Sequence, residues 1–301
     1  MEQPQHHNNS NQISGSKIGI TVILNILITV AQIIGGIISG SIALLTDALH
    51  NFSDVISLLL SYIANRLAKK KSTIKQTYGF KRAEILSAFV NSVTLIAVAI
   101  FLIVEAVERF LDPQPVKADL VIYFAIGSII TNFISVLLLY KDSKNSMNIK
   151  SAYLHLLTDV MTSVAVMIGG ILMKYFDIYR IDSILSVAIA IYLIIASYQL
   201  LLASIKILMQ FTPHDVDIIG VTNLICDINC VKNVHHVHFW QLNEKEIFFE
   251  AHIDLEKDIQ ISKFQDILNE IEIILKKHNI THFNIQPEYG MDDSKNLIIQ
   301  H

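Results

Sequence analysis

The chain has 301 residues, of which 52% are apolar, and its mean hydropathy is +0.48. This composition excludes an ordinary soluble protein, because the apolar residues form five to six runs of about twenty residues. A helix of that length rises about 1.5 Å per residue and crosses a hydrocarbon layer of about 30 Å. The sequence therefore predicts a polytopic membrane protein.

The net charge of −4 is distributed unevenly along the chain. Residues 1–210 carry 16 Lys and Arg against 12 Asp and Glu, whereas residues 211–301 carry 7 against 15. An acidic, soluble C-terminal part suits a cationic partner and argues against nucleic acid binding. The only cysteines, Cys226 and Cys230, are four residues apart. We expect them to pack in the core from one face of a helix rather than to bind a metal.

The first predicted segment is a polar tail, residues 1–16, which we expect to be disordered and which holds no signal peptide of its own. The simplest interpretation of its His6-His7 pair is that both side chains are exposed to solvent. Six transmembrane helices are then predicted, with Gly36 and Gly40 allowing close helix contact at the end of the first. The predicted spans are 17–38, 41–67, 83–111, 119–140, 151–175 and 181–209.

The loops predict the orientation in the membrane. Residues 66–82 contain seven Lys and Arg and residues 141–150 contain three, whereas the three other turns together hold three. Basic loops stay in the cytoplasm, so both termini are predicted to be cytoplasmic, in a bacterial-type inner or plasma membrane. Binding of anionic lipid or RNA is an alternative use of the basic loop.

From Pro213 the apolar blocks give way to short alternating runs. Their order predicts a small α+β domain, αββαβ, with one sheet covered by two helices. The predicted elements are a helix at 215–229, strands at 234–242 and 247–255, a helix at 262–277 and a strand at 281–287.

Two His/Asp pairs interrupt the apolar spans. His50 and Asp54 lie four residues apart in the second span, and His155 and Asp159 repeat that spacing in the fifth. Residues i and i+4 share one face of a helix. Ionisable groups at membrane depth cost about 2.5–3.5 kcal/mol each, so they need a compensating partner. Helix capping, a polar crevice or interhelical hydrogen bonds are the structural alternatives.

Depth favours one joint site. Measured from the outer boundary, His50 and Asp54 lie at about 14 and 20 Å, and His155 and Asp159 at about 22 and 16 Å. Two imidazoles and two carboxylates suit tetrahedral Zn²⁺, whereas Mg²⁺ and Ca²⁺ prefer oxygen alone and Cu(I) prefers sulfur. Asp47, one turn before His50, is either an outer-shell acceptor or exit step, or a helix-start carboxylate.

Histidine supplies a coupling mechanism for such a site. A metal needs deprotonated imidazole, so protons and metal compete near neutral pH, and alternating access would give proton-driven antiport. The sequence has no G-x-x-x-x-G-K-[ST] signature for ATP-driven pumping.

Both His/Asp motifs, together with Tyr78-Gly79-Phe80-Lys81-Arg82-Ala83-Glu84 and Asn91, make residues 17–290 resemble the zinc-transporting subgroup of the cation diffusion facilitator family. The resemblance implies a homodimer of six-helix protomers with ferredoxin-like cytoplasmic domains that exchanges Zn²⁺ for protons. It also implies that His50, Asp54, His155 and Asp159 are the transport ligands. Manganese-selective members tend to have Asp in place of the first His, so His50 favours zinc, with cobalt and cadmium as alternatives.

The C-terminal part of the chain after Pro213, called the tail below, holds eight of the twelve histidines. Strand alternation puts His236 and His238 on one face and His235 on the other. The resemblance implies a regulatory zinc site at His235, His252 and Glu288. Lys263 or Phe264 stands where binuclear members of the family have a further His, which argues against a full two-metal site. The loop at 141–150, between the fourth and fifth spans, lacks the histidines that many family members have there.

Two other functional classes remain as alternatives to a transporter. An intramembrane metallohydrolase would keep one zinc position open, whereas four ligands fill this one, and the sequence has no H-E-x-x-H motif. A zinc sensor that does not transport would lack flux across a sealed vesicle. We therefore expect the chain not to be an enzyme.

Overall fold

The computed structural model describes residues 15–143, 147–214, 216–243 and 245–299. Most of the predicted disordered tail, including His6 and His7, lies outside these residues. Six helices of 25 to 30 residues come first, within four residues of the predicted bounds. They are α1 Gly15–Ser39, α2 Ile42–Ala68, α3 Ala83–Leu111, α4 Ala118–Ser143, α5 Met147–Phe176 and α6 Arg180–Leu208.

Five of these helices, α1 and α3 to α6, are long and apolar enough to cross a membrane. The sixth, α2, is equally long but carries the polar motif from Thr46 to Asp54, which lowers its hydropathy. The chain is therefore a multi-pass membrane protein, and the span predicted for α2 stays a prediction.

The described residues up to Leu60 and residues Asn91–Tyr198 form one compact unit. Glycines let its helices approach closely: a Cβ on Gly170 of α5 would lie 2.9 Å from the Ile122 side chain of α4. One on Gly36 would lie 3.1 Å from the Leu45 backbone of α2, as predicted, whereas Gly40 forms the α1–α2 turn with φ +76°. The core contains Ala43, Leu44, Ala99, Val121, Ala125, Val166, Met173, Ala190 and Leu193.

Asp182 of α6 caps the start of α2. Its Oδ2 accepts a hydrogen bond of 2.7 Å from the Ile42 amide, and its Oδ1 accepts one from the Ser41 hydroxyl. The first amides of a helix have no partner within the helix, so a carboxylate here stabilises the helix end. The helix that carries His50 is thereby fixed to α6.

The second compact unit contains Ser61–Val90 and the described residues from Gln199 onward. Its C-terminal part has the predicted αββαβ order: α7 Ile218–Cys226, β1 Val231–Gln241, β2 Ile247–Leu255, α8 Ile261–Lys277 and β3 Ile280–Glu288. In the sheet, β2 is central, antiparallel to β1 and parallel to β3. Only α7 is clearly shorter than predicted.

An apolar core lies between this sheet and its helices. Helix α8 contributes Ile267, Ile271 and Leu275, spaced four residues apart and all buried. Both cysteines pack in this core, as predicted, but only Cys226 lies on a helix; Cys230 follows the end of α7, with φ +75°. In the same unit the ring of Tyr78, from the loop before α3, packs edge-on against Phe248, and Lys81 pairs with Glu246.

Candidate metal centres

Helices α2 and α5 bring the two predicted His/Asp pairs together. His155 Nε2 lies 3.0 Å from Asp54 Oδ2 and 3.9 Å from Asp159 Oδ2, and His50 Nε2 lies 3.5 Å from Asp159 Oδ1. The two imidazole centroids are 5.6 Å apart, edge to face. Neighbouring ligands of a tetrahedral ion with bonds of about 2.0–2.1 Å lie about 3.3 Å apart. The groups therefore have the spacing of a coordination shell.

Burial distinguishes the members of this transmembrane cluster. The side chains of His50 and Asp159 are 8% and 1% exposed, whereas those of Asp54 and His155 are 25% and 41% exposed. Among the described residues, neither the ring nitrogens of His50 nor the carboxylate oxygens of Asp159 have a hydrogen-bond partner. Buried polar atoms of this kind are costly unless a ligand satisfies them.

Three of the four residues, His50, His155 and Asp159, offer ligand atoms that all lie within 4.8 Å of one another. Asp54 contacts both imidazoles, but it meets His50 at Nδ1, at 3.8 Å, whereas Asp159 faces Nε2 of that ring. One imidazole gives one nitrogen to one ion, so the structure does not group Asp54 with Asp159 around His50; its close contact is with Nε2 of His155, at 3.0 Å. The ring of Tyr192 on α6 packs edge-on against His50 at 6.3 Å.

Asp47 has a different set of neighbours. Its Oδ2 accepts hydrogen bonds from Gln32 Nε2 at 2.7 Å and from the Ser163 hydroxyl at 3.2 Å. Asn51 Nδ2 in turn donates to Gln32 Oε1 at 2.9 Å. The helix-start interpretation of Asp47 is wrong, because it is the sixth residue of α2 and 1% exposed. These hydrogen bonds join α1, α2 and α5 beside the transmembrane cluster.

The three tail residues implied by the family resemblance also come together. His235 and His252 are paired across β1 and β2, with ring centroids 5.5 Å apart. Glu288, at the end of β3, places Oε1 at 2.7 Å from His252 Nδ1 and Oε2 at 3.3 Å from His235 Nε2. The His235 side chain is fully buried, and its Nδ1 has no hydrogen-bond partner among the described residues.

Three further residues of this tail cluster were missed by the sequence analysis. Asp293 Oδ2 lies 3.3 Å from His235 Nε2, Asp254 Oδ2 lies 3.6 Å from His235 Nδ1, and Lys295 pairs with both of these carboxylates. The hydrogen bond from Lys295 lowers the pKa of Asp293. Desolvation lowers the pKa of Lys295, but hydrogen bonds to Asp254, Asp293 and Glu288 outweigh it and raise that pKa. For Asp293 and Lys295 the only sequence signal was the acidic pair Asp292-Asp293 followed by a lysine after the last strand; Asp254 lies in β2, two residues after His252.

Strict alternation along β1 does not hold. The pairing with β2 shifts between His235 and His238, and His236 adopts φ +52°. An extra residue in one strand of a pair changes the direction in which the neighbouring side chains point. The ring of His236 lies 5.1 Å from that of His238 and 4.4 Å from that of His252.

Two family models match the chain. The model described as the cation efflux transmembrane domain matches residues 18–209, and that of the cation efflux protein, cytoplasmic domain, matches residues 213–289. The matches divide the chain at Pro213, where the apolar blocks end.

Several curated transporters are similar over nearly their whole length. The chain is 33% identical to the cadmium, cobalt and zinc/H(+)-K(+) antiporter of Bacillus subtilis, with 96% of this chain and 94% of the relative covered. It is 34% identical to the zinc transporter ZitB of Pectobacterium atrosepticum, with 95% and 90% covered. It is 31% identical to the metal cation efflux system protein CzcD of Cupriavidus metallidurans, with 86% and 82% covered. The chain therefore belongs to the cation diffusion facilitator family of metal cation efflux proteins.

Proposed function

We propose that the protein exports Zn²⁺ from the cytoplasm in exchange for protons, with His50, Asp54, His155 and Asp159 as the transport ligands. The observation that carries the proposal is the convergence of these groups at 3.0 to 3.9 Å, with the buried atoms of His50 and Asp159 left without hydrogen bonds. Zn²⁺ is then the substrate that completes their coordination.

The donor set supports zinc or an ion close to it. Nitrogen and oxygen donors in equal number suit Zn²⁺, and two carboxylates neutralise its charge. Co²⁺ and Cd²⁺ are the alternative substrates: the name of the Bacillus relative includes all three metals, whereas that of the Pectobacterium relative includes zinc alone. Competition by Co²⁺ and Cd²⁺ against Zn²⁺ flux measures the preference.

Competition between protons and metal for His50 and His155 supplies the coupling. An imidazole that binds metal must first lose its proton, and it can take one up when the ion leaves on the far side. The name of the Bacillus relative includes both H⁺ and K⁺. A flux assay must therefore impose the pH gradient and the K⁺ gradient separately, and we expect the pH gradient to drive Zn²⁺ transport.

The proposed architecture is a dimer with its termini in the cytoplasm. Residues 17–210 would form six spans, with α2 held in the bundle by its polar contacts to α1 and α6. Residues 211–301 would form a ferredoxin-like cytoplasmic domain that joins two copies of the chain. The name of the matching family model, which refers to a dimer, supports this assembly. The basic loop after α2 supports this orientation in a bacterial-type inner or plasma membrane.

The tail cluster is proposed to hold a regulatory metal. His235, His252 and Glu288 offer two imidazoles and a carboxylate, and the buried, unpartnered Nδ1 of His235 is the kind of atom that a ligand stabilises. A bound Zn²⁺ would contribute a positive charge among the carboxylates and tie β1, β2 and β3 together at this point.

Zn²⁺ uptake into sealed proteoliposomes tests the transport proposal. We expect Asp54→Ala and Asp159→Ala each to reduce flux by at least about a hundredfold, because changes outside the ligand shell alone cost 10–100-fold. Asp112→Ala, an exposed carboxylate in the loop after α3, is the matched control and should leave flux unchanged.

Unchanged flux in both ligand variants would end the assignment of the transport site. Zinc binding without flux in the wild type would instead favour a sensor, and zinc-dependent hydrolysis without flux would favour the intramembrane metallohydrolase. We propose that the protein is neither, because the four proposed ligands would fill the tetrahedral shell of the ion and leave no open position for water.

A further inference from the structure

The chain continues beyond the part that matches the family model of the cytoplasmic domain, which ends at residue 289. The following segment, residues 290–299, returns to the edge of the sheet. The amide of His236 donates to Asn296 O at 3.2 Å, and that of Val237 donates to Leu297 O at 2.8 Å. Because β1 is an edge strand, these bonds hold the segment beside the shift in β1 pairing.

This C-terminal segment adds a carboxylate to the tail cluster. Asp293 Oδ2 and Glu288 Oε2 both lie 3.3 Å from Nε2 of the buried His235. Ligand atoms of His235, His252, Glu288 and Asp293 all lie within 4.8 Å of one another. With Asp293 the cluster has two nitrogens and two carboxylates, the number that a closed tetrahedral zinc site requires.

The same segment also supplies a cation. Lys295 Nζ lies 2.8 Å from Asp254 Oδ1 and 3.3 Å from Glu288 Oε2, and it contacts Asp293 Oδ1. The ammonium group thus sits among oxygens of three carboxylates, which together could hold a second metal ion. With neutral imidazoles, three carboxylates and one ammonium leave a charge of −2, which a single divalent cation neutralises.

We propose that the C-terminal segment makes the tail cluster a site for one divalent cation of the zinc type. Asp293 is the fourth ligand beside His235, His252 and Glu288, and Lys295 is a tethered cation in the place of a second ion. The inference deepens the proposed tail site and does not depend on the transport activity. Metal binding then fastens the segment to β1 through Asp293.

Zinc binding to the full-length protein tests the ligand assignment. Asp54→Ala/Asp159→Ala serves as the background, so that the transport site contributes little binding. We expect one Zn²⁺ per chain in this background, bound at least about tenfold more weakly after Asp293→Asn. Asp292→Asn, the exposed neighbouring carboxylate, should not change the affinity. Equal affinities in the two Asn variants would overturn the assignment of Asp293.

Lys295→Met tests the tethered cation in the same assay. We expect this variant to bind two Zn²⁺ per chain, whereas Lys295→Arg, which keeps the charge, should bind one. A single ion in Lys295→Met would overturn the role of Lys295. Amide exchange gives a separate readout: Zn²⁺ should slow exchange at His236 and Val237, whose amides bond the segment, and Asp293→Asn should abolish the slowing. Zinc-independent exchange in the unmodified chain would contradict the proposal even if transport is intact.

Discussion

The transmembrane and tail clusters contain the same kinds of donor in different surroundings. Both contain two histidines and at least two carboxylates, but the first is built by two helices and the second by three strands and a C-terminal segment. The tail cluster also includes a third carboxylate, Asp254, and Lys295. In the transmembrane cluster the side chains of Asp54 and His155 are 25% and 41% exposed. Its other two members are 8% and 1% exposed. The tail cluster has the same division: the side chains of His235 and Glu288 are 0% and 4% exposed, whereas those of His252 and Asp293 are 19% and 34% exposed.

Charge is the second difference. Among the described ion pairs, the carboxylates of the transmembrane cluster meet only histidines, whereas those of the tail cluster also meet Lys295. A fixed ammonium beside a ligand shell limits how much positive charge the shell accepts, and its own hydrogen bonds hold the carboxylates in place. Under the proposed roles, this difference in charge would let the transmembrane cluster release its ion and the tail cluster retain it.

The same substitution in both clusters gives the largest expected contrast. His50→Asp replaces a nitrogen donor by oxygen in the transmembrane cluster, so we expect Zn²⁺ flux to fall at least about tenfold and Mn²⁺ to compete better, because hard oxygen donors favour Mn²⁺. His252→Asp makes the matched change in the tail and should alter flux at saturating Zn²⁺ by less than about twofold. Vesicle flux of both metals measures the contrast, and equal losses in the two variants would remove the distinction between cargo and regulatory clusters.

The elements were largely predictable, because periodicity and apolar length depend on local sequence. The His/Asp spacing located the transmembrane cluster for the same reason: residues four apart share a helix face wherever the helix is placed. Asp182 could not be assigned to the start of α2, since its partner Ile42 is 140 residues away. Asp293 and Lys295 lie in a segment without periodicity, so only the folded contacts of that segment reveal them. The shift in β1 at His236 depends on pairing with β2, which alternation alone does not encode.

Substitution of Asp47 should have an intermediate effect, because Asp47 lies near the transmembrane cluster but forms its hydrogen bonds with Gln32 and Ser163. Interhelical hydrogen bonds in membranes contribute about 0.6 kcal/mol each and up to about 1.7 kcal/mol. We therefore expect Asp47→Ala to destabilise the protein by roughly 1–3 kcal/mol in thermal unfolding, and to change Zn²⁺ affinity by less than about threefold. Asp47→Asn keeps an acceptor oxygen and should lose less stability. A tenfold loss of affinity in Asp47→Asn without destabilisation would assign it to the outer shell of the transport site instead.

The contact between the α2–α3 loop and the tail sheet gives the smallest expected effect. Lys81 and Glu246 form an ion pair with side chains 39% and 29% exposed, and Tyr78 packs against Phe248 beside it. Because exposed pairs contribute at most about 1 kcal/mol, Lys81→Glu or Glu246→Lys should change the Zn²⁺ concentration for half-maximal flux by no more than about fivefold. The double exchange should restore the original value, and 0.5 M salt should reduce the effect of either single variant, since the screening length falls to a few ångströms. If the double exchange is as impaired as the single variants, the ion pair between Lys81 and Glu246 is not the cause of the change in flux.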